Sequence, residues 1–304
     1  MKNDHPLVSI ILVNYNTSFL TLECIKSIFS SNYQTFKIIV VDNNSTLEDY
    51  NNITKAAKAF NLDILLFRNK MNTGFASACN IGIDLAIQNR SEFVLLLNND
   101  TTVTEIFLEE LINFTQSRKQ PCVTSSLILY SEPPHNVWFS GGYISKLRAS
   151  GFHLRSTNHI NELGFETEFL SGCCMLLPAA VIATVGKLSE EYFLYLEDVD
   201  YCTRLKNSGI KMYVVPTSVI YHKVNATTKK YSSYLPLYYN SRNRLYYSKK
   251  YFPELLFIVK FYIKFSMFIK SVFWILNGDK NKLQVVRKAF SDFENNKFGK
   301  SEDF

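Results

Sequence analysis

Two adjacent carboxylates, Glu197 and Asp198, open the acidic run Glu197-Asp198-Val199-Asp200 and are suited to acid–base chemistry. A carboxylate can take the proton of an attacking hydroxyl, and a like-charged neighbour raises the pKa of one of the two groups. A structural interpretation is also open, because acidic residues favour the first turn of a helix and Asp200 can pair with Arg204 four residues on. The two interpretations are compatible, since a rigid helix start is a good platform for a base.

Amide and carboxylate residues also follow three apolar runs, at the points where strands are expected to end. These groups are Asn14-Tyr15-Asn16, Asp42-Asn43-Asn44-Ser45 and Asn98-Asn99-Asp100. Any one of them could be a turn or a helix cap, since Asn and Asp suit both. Ligands of a parallel sheet bind beyond the carboxyl ends of its strands, so three such groups on one edge favour a ligand site.

The apolar runs themselves predict an α/β fold. Residues 7–13, 37–42, 62–67 and 93–98 are nearly continuous in apolar character, as expected of strands that are buried on both faces. Helical stretches lie between them, and each is preceded by a Thr or Ser cap at 17–18, 45–46 or 73. This alternation predicts a parallel sheet with right-handed crossovers, a Rossmann-like domain.

Beyond residue 100 the pattern predicts a smaller mixed region. We expect a helix over 104–117, a strand over 169–177 and a short helix that starts at Pro178. A further helix over 198–207 is followed by Gly209, which suits a C-terminal stop. Two short strands, 211–215 and 218–222, are expected on either side of Pro216.

Several classes of protein are disfavoured by motifs that the sequence lacks. Neither GxGxxG nor GxxxxGK[ST] follows the first strand, which disfavours a dinucleotide site and a P-loop, and the loop is not the glycine-rich basic one of nucleotidyltransferases. The six cysteines have no CxxC or zinc-like spacing, which favours a reducing compartment. The first residues do not resemble a secretion signal, so we expect a cytoplasmic protein.

The ordered motifs VNYN, VVDNNS, NTGFASACNIGI, LLLNNDT, FLSGCCMLL and YLEDVDYCTRL resemble those of inverting family 2 glycosyltransferases. The resemblance covers residues 8–225 and is nearest to the rhamnosyltransferase-like and galactofuranosyltransferase-like branch. It implies a GT-A fold, a nucleoside-diphosphate sugar donor and a divalent cation, Mn²⁺ or Mg²⁺. It leaves open whether the donor is dTDP-rhamnose or a UDP-hexose.

The resemblance also implies roles for individual residues. Asp198 corresponds to the family's catalytic base, and Glu197 would assist it or contact the acceptor. Asp42 resembles the carboxylate that reads the pyrimidine base. The other expected donor-binding residues are Asn14, Asn16, Asn44, Arg68, Asn72, Gly74, Asn80, Asn98 and Asn99.

The expected metal site departs from the family pattern. Asn98-Asn99-Asp100 stands in the place of the family's Asp-x-Asp motif, so that only Asp100 is a carboxylate. One carboxylate with amide neighbours holds a hard cation weakly unless the diphosphate and another ligand complete the shell. His222 matches a position where related enzymes supply that ligand, although a lone histidine at a strand end is more often structural.

The last part of the chain differs from the rest in charge. From Lys223 onward there are 16 basic and 6 acidic residues, whereas the preceding residues are mildly acidic. Residues 255–276 are mostly apolar with three lysines, which favours a helix in the membrane interface over a spanning one. A helix packed on the protein is the alternative. The basic, aromatic stretch 238–250 could suggest nucleic acid, but we favour anionic lipid headgroups or a lipid-linked diphosphate acceptor.

These observations predict a domain over 1–225, with a nucleotide-sugar half (1–100) and an acceptor half (101–225), followed by a helical region over 226–304. The expected protein is a peripheral enzyme of the inner membrane face that glycosylates a glycan or a lipid-linked intermediate of polysaccharide biosynthesis. A non-catalytic partner subunit that binds a nucleotide sugar is the alternative, because the metal motif has a single carboxylate. The pattern leaves self-association into a homo-oligomer open.

Overall fold

The computed structural model of the chain describes residues 5–158, 164–224, 234–276, 279 and 281–303. Strands and helices alternate in its first hundred residues, as predicted, and most of the bounds agree to within two residues. The elements are β1 (Val8–Asn14), α1 (Ser18–Phe29), β2 (Phe36–Asp42), α2 (Leu47–Ala59), β3 (Ile64–Arg68), α3 (Phe75–Gln88) and β4 (Phe93–Leu97).

Strands β1 to β4 form the parallel part of one sheet. Strand β1 pairs in parallel with β2 and β4, and β2 pairs in parallel with β3. The register places Asn14 opposite Asp42, and Asp42 opposite Arg68, at the carboxyl ends of three adjacent strands. The strand core is apolar on both faces, with β4 entirely buried, which explains the continuous apolar runs of the sequence.

The second half of the domain extends this sheet with antiparallel and parallel strands. Its elements are β5 (Thr101–Val103), α4 (Phe107–Gln116), β6 (Cys122–Tyr130), β7 (Val137–Phe139), β8 (Gly142–Ser145), β9 (Ser150–His153), β10 (Phe165–Thr167), β11 (Cys174–Pro178), α5 (Ala179–Val185), α6 (Glu197–Asn207) and β12 (Lys211–His222). The strand order is β10-β12-β6-β11-β4-β1-β2-β3, while β5 pairs with β12, β7 with β6, and β8 with β9.

Two of the predicted strands in this half differ from the structure. The strand expected over 169–177 is formed only by its last part, because residues 169–173 make a loop beside the cleft described below. The two strands expected around Pro216 are one strand, β12, with an irregularity between Val215 and Val219. Pro216 breaks the pairing without ending the strand, since proline lacks the N–H that the ladder needs.

The chain ends in three helices, α7 (Tyr234–Tyr251), α8 (Leu256–Leu276) and α9 (Asn281–Glu294). Helix α7 is packed into the protein, and Leu245 and Tyr247 belong to the main apolar core. Asp200 of α6 is fully buried and accepts hydrogen bonds from Lys250 Nζ and the Tyr251 hydroxyl, both at 2.8 Å. Helices α6 and α7 are therefore joined by a buried polar contact.

The burial of α7 corrects the expectation that stretch 238–250 contacts lipid. Arg242 is 1% exposed, and Tyr238, Tyr239, Asn243 and Tyr247 are fully buried. These side chains are in contact with the protein itself, so they are not available to a headgroup. Of this stretch only Lys249 and Lys250, at the end of α7, are classed as exposed.

Helix α8 forms where the sequence predicts it and turns its apolar face outward. Phe257, Phe261, Phe265 and Phe268, spaced by four, four and three residues, are between 54% and 80% exposed. Its lysines lie beside this face, and Lys260 pairs with Glu294 of α9. Within the described residues no helix is long and apolar enough to cross a membrane.

Candidate active site

A cleft of about 520 Å³ opens where the carboxyl ends of β1, β2 and β4 meet the second half of the domain. Its volume lies within the range of small-ligand sites. Eight of the predicted site residues line it together: Asn72, Gly74, Asn98, Asn99, Asp100, Glu197, Asp198 and His222. The cleft thus brings these residues from four separate segments of the chain to one place.

Asp100 and His222 are adjacent because two short strands pair. Strand β5 begins directly after Asp100, and its Thr101 lies opposite His222 in the antiparallel ladder with β12. The His222 Nε2 and Asp100 Oδ1 atoms are 3.1 Å apart, and both side chains are less than 10% exposed. Within the described residues Asp100 Oδ1 and His222 Nδ1 have no hydrogen-bond partner, so the 3.1 Å contact is not a well-directed hydrogen bond.

This pair fits a divalent cation in part. A carboxylate oxygen and an imidazole nitrogen are both ligands of Mn²⁺, whereas Mg²⁺ prefers oxygen alone. Unpaired buried polar atoms are rare in proteins, and Asp100 Oδ1 and His222 Nδ1 are two of them. Among the described residues no group of three His, Cys, Asp or Glu side chains is placed to hold a metal. The protein would therefore supply two ligands, and the rest would come from substrate and water.

Asn98 and Asn99 both line the cleft next to Asp100. The Asn99 amide donates to the hydroxyls of Thr17 and Thr21, at 2.8 and 2.7 Å. Asn99 therefore fixes the end of β4 to the start of α1. The Asn98 carbonyl accepts from the Thr101 hydroxyl at 2.7 Å, which closes the turn that carries Asp100.

Glu197 and Asp198 stand in the first turn of α6, at the floor of the cleft. Asp198 Oδ2 accepts from the backbone N–H of Gly172 at 3.1 Å, and Asp198 Oδ1 accepts from the N–H of Val199 at 2.8 Å. Glu197 Oε2, by contrast, is buried without a hydrogen-bond partner among the described residues. The two carboxyls therefore share a site but not an environment.

These environments act differently on the pKa values of Glu197 and Asp198. Burial raises the pKa of Glu197 to about 8, and the charge of Asp198 adds to the shift. Burial also raises the pKa of Asp198, but the N–H groups of Gly172 and Val199 oppose the rise. Glu197 therefore holds its proton the more firmly of the two, and Asp198, which two N–H groups stabilise as a carboxylate, is the better placed to act as a base.

The loop before α6 passes close to Gly74. Gly74 has a φ of +88°, and a Cβ there would lie 2.4 Å from the carbonyl oxygen of Phe193. The same oxygen accepts from the N–H of Phe75 at 2.7 Å. The predicted Gly74 thus lines the cleft, and its lack of a side chain is what allows the loop to reach α3.

Asp42, Asn14 and Arg68 lie beside the cleft but not in it. Asp42 is fully buried and accepts from the Asn14 amide at 2.9 Å, and its Oδ2 lies 3.5 Å from Arg68 Nε. The Asn14 amide also donates to Ser45 and Asp49. These groups join the ends of β1, β2 and β3, and the donor-binding roles expected of them remain predictions.

Three further predicted donor-binding residues lie outside the cleft lining. Asn16 has a φ of 55° and accepts from the N–H of Thr46 at 2.8 Å, and Asn44 is an exposed residue with a φ of 65°. Asn80 is buried, where its amide binds the backbone of Leu188 and the carboxylate of Glu190. Asn80 therefore ties α3 to the segment that leads to α6, and the expected contact with donor has no support in its position.

Several lining residues were not predicted as site residues from the sequence, among them Asn43, Trp138 and His153. Asn43 donates to Asn72 Oδ1 and to the Gly74 carbonyl, at 3.0 and 3.1 Å. Trp138 meets the rings of His153 and His222 edge to face, with centroids 4.6 and 4.5 Å away. Burial lowers the pKa of His153 to about 4, so its ring is neutral at physiological pH. Asn43 directly follows β2, and this position at a strand end is the sequence signal that could have identified it as a site residue.

The family model for glycosyl transferase family 2 matches residues 9–186, and the chain belongs to this family. A low-salt glycan biosynthesis hexosyltransferase of Haloferax volcanii is 24% identical over 256 residues, which covers 81% of this chain and 77% of the relative. A dTDP-rhamnosyl transferase of Shigella flexneri is 24% identical over 290 residues, 91% of each chain. The resemblance seen in the motifs is thereby confirmed, and the chain is a glycosyltransferase.

Comparison of structures confirms the GT-A fold. The crystal structure of GalNAc-T7 with UDP, GalNAc and Mn²⁺ superposes with a TM-score of 0.62 at 15% identity. The match covers 73% of this chain but only 44% of that one, so this chain spans less than half of that neighbour's length. At this identity the likeness concerns the fold.

Proposed function

We propose that the protein is an inverting glycosyltransferase that moves a sugar from a nucleoside diphosphate to an acceptor hydroxyl, with Asp198 as the base. The observation that carries this proposal is the single cleft that holds both Asp198 and the Asp100–His222 pair. A base for the incoming hydroxyl and a cation site for the departing diphosphate are the two groups that such a reaction needs.

In this mechanism Asp198 accepts the proton of the acceptor hydroxyl while the oxygen of that hydroxyl bonds to the anomeric carbon of the donor sugar. The bond from that carbon to the diphosphate oxygen breaks, and the diphosphate leaves with the electron pair. The N–H groups of Gly172 and Val199 hold the Asp198 carboxylate in place. Protonated Glu197 can donate a hydrogen bond into the cleft. A cation held by Asp100 and His222 would supply positive charge to the leaving group.

The donor is proposed to be dTDP-rhamnose or a UDP-hexose. The rhamnosyl and hexosyl relatives support both, because each is similar over most of the chain. The side of the cleft that Asn43, Asn72 and Gly74 line is the proposed donor side. The role predicted for Asp42 would require its bonds to Asn14 and Arg68 to open, and contact of the Asn43 amide with the base would likewise require its bonds to Asn72 and Gly74 to open.

The test is a screen of purified sugar nucleotides for hydrolysis by the wild-type protein. Release of nucleoside diphosphate from dTDP-rhamnose or a UDP-hexose in the presence of MnCl₂ or MgCl₂, abolished by EDTA, is the expected result. Binding of a donor without turnover would favour the non-catalytic partner subunit. Neither binding nor turnover of any donor would refute both assignments.

The acceptor is proposed to be a lipid-linked glycan intermediate, reached with α8 lying in the inner leaflet of the cytoplasmic membrane. Helix α8 presents four exposed phenylalanines together with three lysines, and it contains no acidic residue. Lys264 lies next to the phenylalanine face, and Lys264 and Lys270 are both exposed, where they could reach anionic headgroups. This charge pattern favours an anionic lipid surface over a second copy of the chain.

Flotation with vesicles tests the membrane proposal. Wild type is expected to float with vesicles that contain phosphatidylglycerol, and Phe257→Ser/Phe261→Ser/Phe265→Ser is expected to remain in solution. The matched control is Phe19→Ser/Phe60→Ser, since both side chains are exposed apolar groups away from α8. Equal flotation of the triple variant and wild type would refute the assignment.

A further inference from the structure

The loop that precedes Glu197 is held in an unfavourable backbone conformation. Phe193, Tyr195 and Leu196 have φ values of 61°, 66° and 72°. Bulky residues avoid positive φ, because the Cβ approaches the neighbouring carbonyl oxygen. Such a conformation persists only when surrounding contacts impose it, and here three of the four residues before the two cleft carboxylates adopt it.

The contacts that impose this conformation come from one side chain of α7. The Asn243 amide donates to the carbonyl oxygens of Tyr192, Leu194 and Tyr195, at 2.8, 2.9 and 3.0 Å. Asn243 is fully buried, so these bonds do not compete with water. Two amide hydrogens shared among three carbonyls fix the path of the loop over its whole length.

Arg242 determines which way the Asn243 amide faces. Arg242 Nε donates to Asn243 Oδ1 at 3.0 Å, which leaves the NH₂ group directed at the loop. The Arg242 guanidinium lies over the rings of Tyr238 and Tyr239, 5.2 and 5.0 Å from their centroids. Tyr239 in turn stacks on Phe193 at 5.1 Å. The buried residues of α7 thus form one support behind the loop.

We propose that Asn243 is a positioning residue, which holds residues 193–196 in their strained path so that α6 starts with Glu197 and Asp198 inside the cleft. Arg242 acts through it by setting the orientation of the amide. The catalytic part of this inference rests on the proposed function, whereas the structural part does not. It assigns a purpose to the YNSRNR stretch other than contact with lipid or nucleic acid.

Substitution of Asn243 should change the two carboxylates more than it changes donor binding. Asn243→Asp keeps the size of the side chain and replaces the NH₂ donor with an oxygen that repels the three carbonyls. Once the loop relaxes, water reaches Glu197, and the pKa of its carboxyl, about 8 in the wild type, falls toward its ordinary value. The donor side of the cleft at Asn43 and Asn72 is formed by other elements and should change little.

Two measurements test the inference in Asn243→Asp and Asn243→Ala. The first is carboxyl ¹³C NMR titration of Glu197, assigned with Glu197→Gln, in which we expect a drop of at least one pH unit. The second is hydrolysis of dTDP-rhamnose and UDP-glucose with MnCl₂, in which we expect a loss in kcat of at least tenfold and a KM within threefold of wild type. The control is Asn240→Ala, since the Asn240 amide donates to the carbonyl oxygen of Pro236 in its own helix.

The outcomes separate the two proposals. If the wild-type protein turns over no donor, the proposed glycosyltransferase function is refuted. The NMR titration of Glu197 would still test whether Asn243 positions the loop. An unchanged Glu197 titration in a folded Asn243 variant would overturn the inference, and so would an equal loss in Asn240→Ala. If both Asn243 variants fail to fold, the titration is measured in Arg242→Lys, which keeps the positive charge but lacks the Nε donor. It should then shift the titration in the same direction by a smaller amount, and no shift would overturn the inference.

Discussion

The imidazole of His222 lies 3.1 Å from the carboxylate of Asp100 although 121 residues separate them in the chain. Strand β5 brings them together, because it follows Asp100 directly and pairs with the end of β12. A chain with one carboxylate in its metal motif can in this way obtain a second ligand from a distant strand. The pairing of β5 with β12 is therefore part of the site.

Removal of the His222 imidazole should weaken the activation of donor hydrolysis by the divalent cation. His222→Ala is expected to raise the MnCl₂ concentration for half-maximal donor hydrolysis at least tenfold, since even outer-shell partners of a metal contribute factors of about 10–100. The same loss should appear in Mn²⁺ binding measured by electron paramagnetic resonance with UDP present. His135→Ala is the control, because His135 is exposed and lies against Tyr221. Equal Mn²⁺ affinity in His222→Ala and wild type would exclude the ligand role.

Glu197 should destabilise the fold as pH rises. Its carboxyl has a pKa of about 8 in the folded protein, above the ordinary value of 4.5, so the folded state binds more protons than the unfolded state between these two values. Stability linked to this group is thus complete below pH 4.5 and is lost as pH rises through 8. Glu197→Gln should then raise Tm relative to wild type at pH 8, by about 2 °C or more. An equal or lower Tm at pH 8 would contradict the burial of an acid at this position.

Gly74 offers a steric test of the contact between α3 and the loop. Gly74→Ala must accommodate a Cβ 2.4 Å from a backbone oxygen and a φ of +88°, and we expect a loss of about 2 kcal/mol or more in unfolding free energy. Gly209→Ala has a similar φ of +72° and nothing within 4 Å of the new Cβ, so it should lose only about 1 kcal/mol. Chemical denaturation of both variants gives the difference. Equal losses would mean that the close approach to Phe193 is unimportant.

Asp200 is expected to matter for stability rather than for chemistry. It is fully buried and accepts from Arg204, Lys250, Tyr192 and Tyr251. Asp200→Ala leaves these donors without their anion, at a cost of about 3–5 kcal/mol. Glu166→Ala, which breaks an exposed pair with Lys211, should cost much less unfolding free energy in the same denaturation experiment. A small loss of unfolding free energy in Asp200→Ala would show that other contacts hold α7 in place.

Much of the parallel half of the fold could be predicted, because its strands are apolar on both faces. Its predicted helix caps were less reliable, since Thr17 makes no side-chain cap bond and Gly74, not Thr73, directly precedes α3, but one of them forms. Thr46 accepts from the N–H of Asp49 as a cap should. Strand β6 was missed because Thr124, Ser125 and Ser126 interrupt its apolar run while lying in the centre of the sheet. Such polar residues are tolerated there because Thr124 bonds to Thr115, Ser126 to Ser218 and Ser125 to the backbone, which a sequence pattern does not reveal.

The site could be predicted in its residue types more than in their orientation. The motifs identified Asp100, His222, Glu197 and Asp198, and the cleft brings all four together. They did not show whether Asp42 or its neighbour Asn43 faces the cleft, because this depends on where β2 ends. Nor did composition show that an arginine such as Arg242 is buried, since a basic and aromatic stretch has the same letters on a surface and in a core.

The central claim is that Asp198 is the base of a glycosyl transfer reaction, and the kcat of Asp198→Asn tests it most directly. The asparagine keeps the size of the side chain and can still accept the N–H of Gly172, so donor binding should remain within threefold of wild type. With the donor found in the screen, the account predicts a fall in kcat of at least about a hundredfold. A variant that transfers or hydrolyses that donor at the wild-type rate would contradict it.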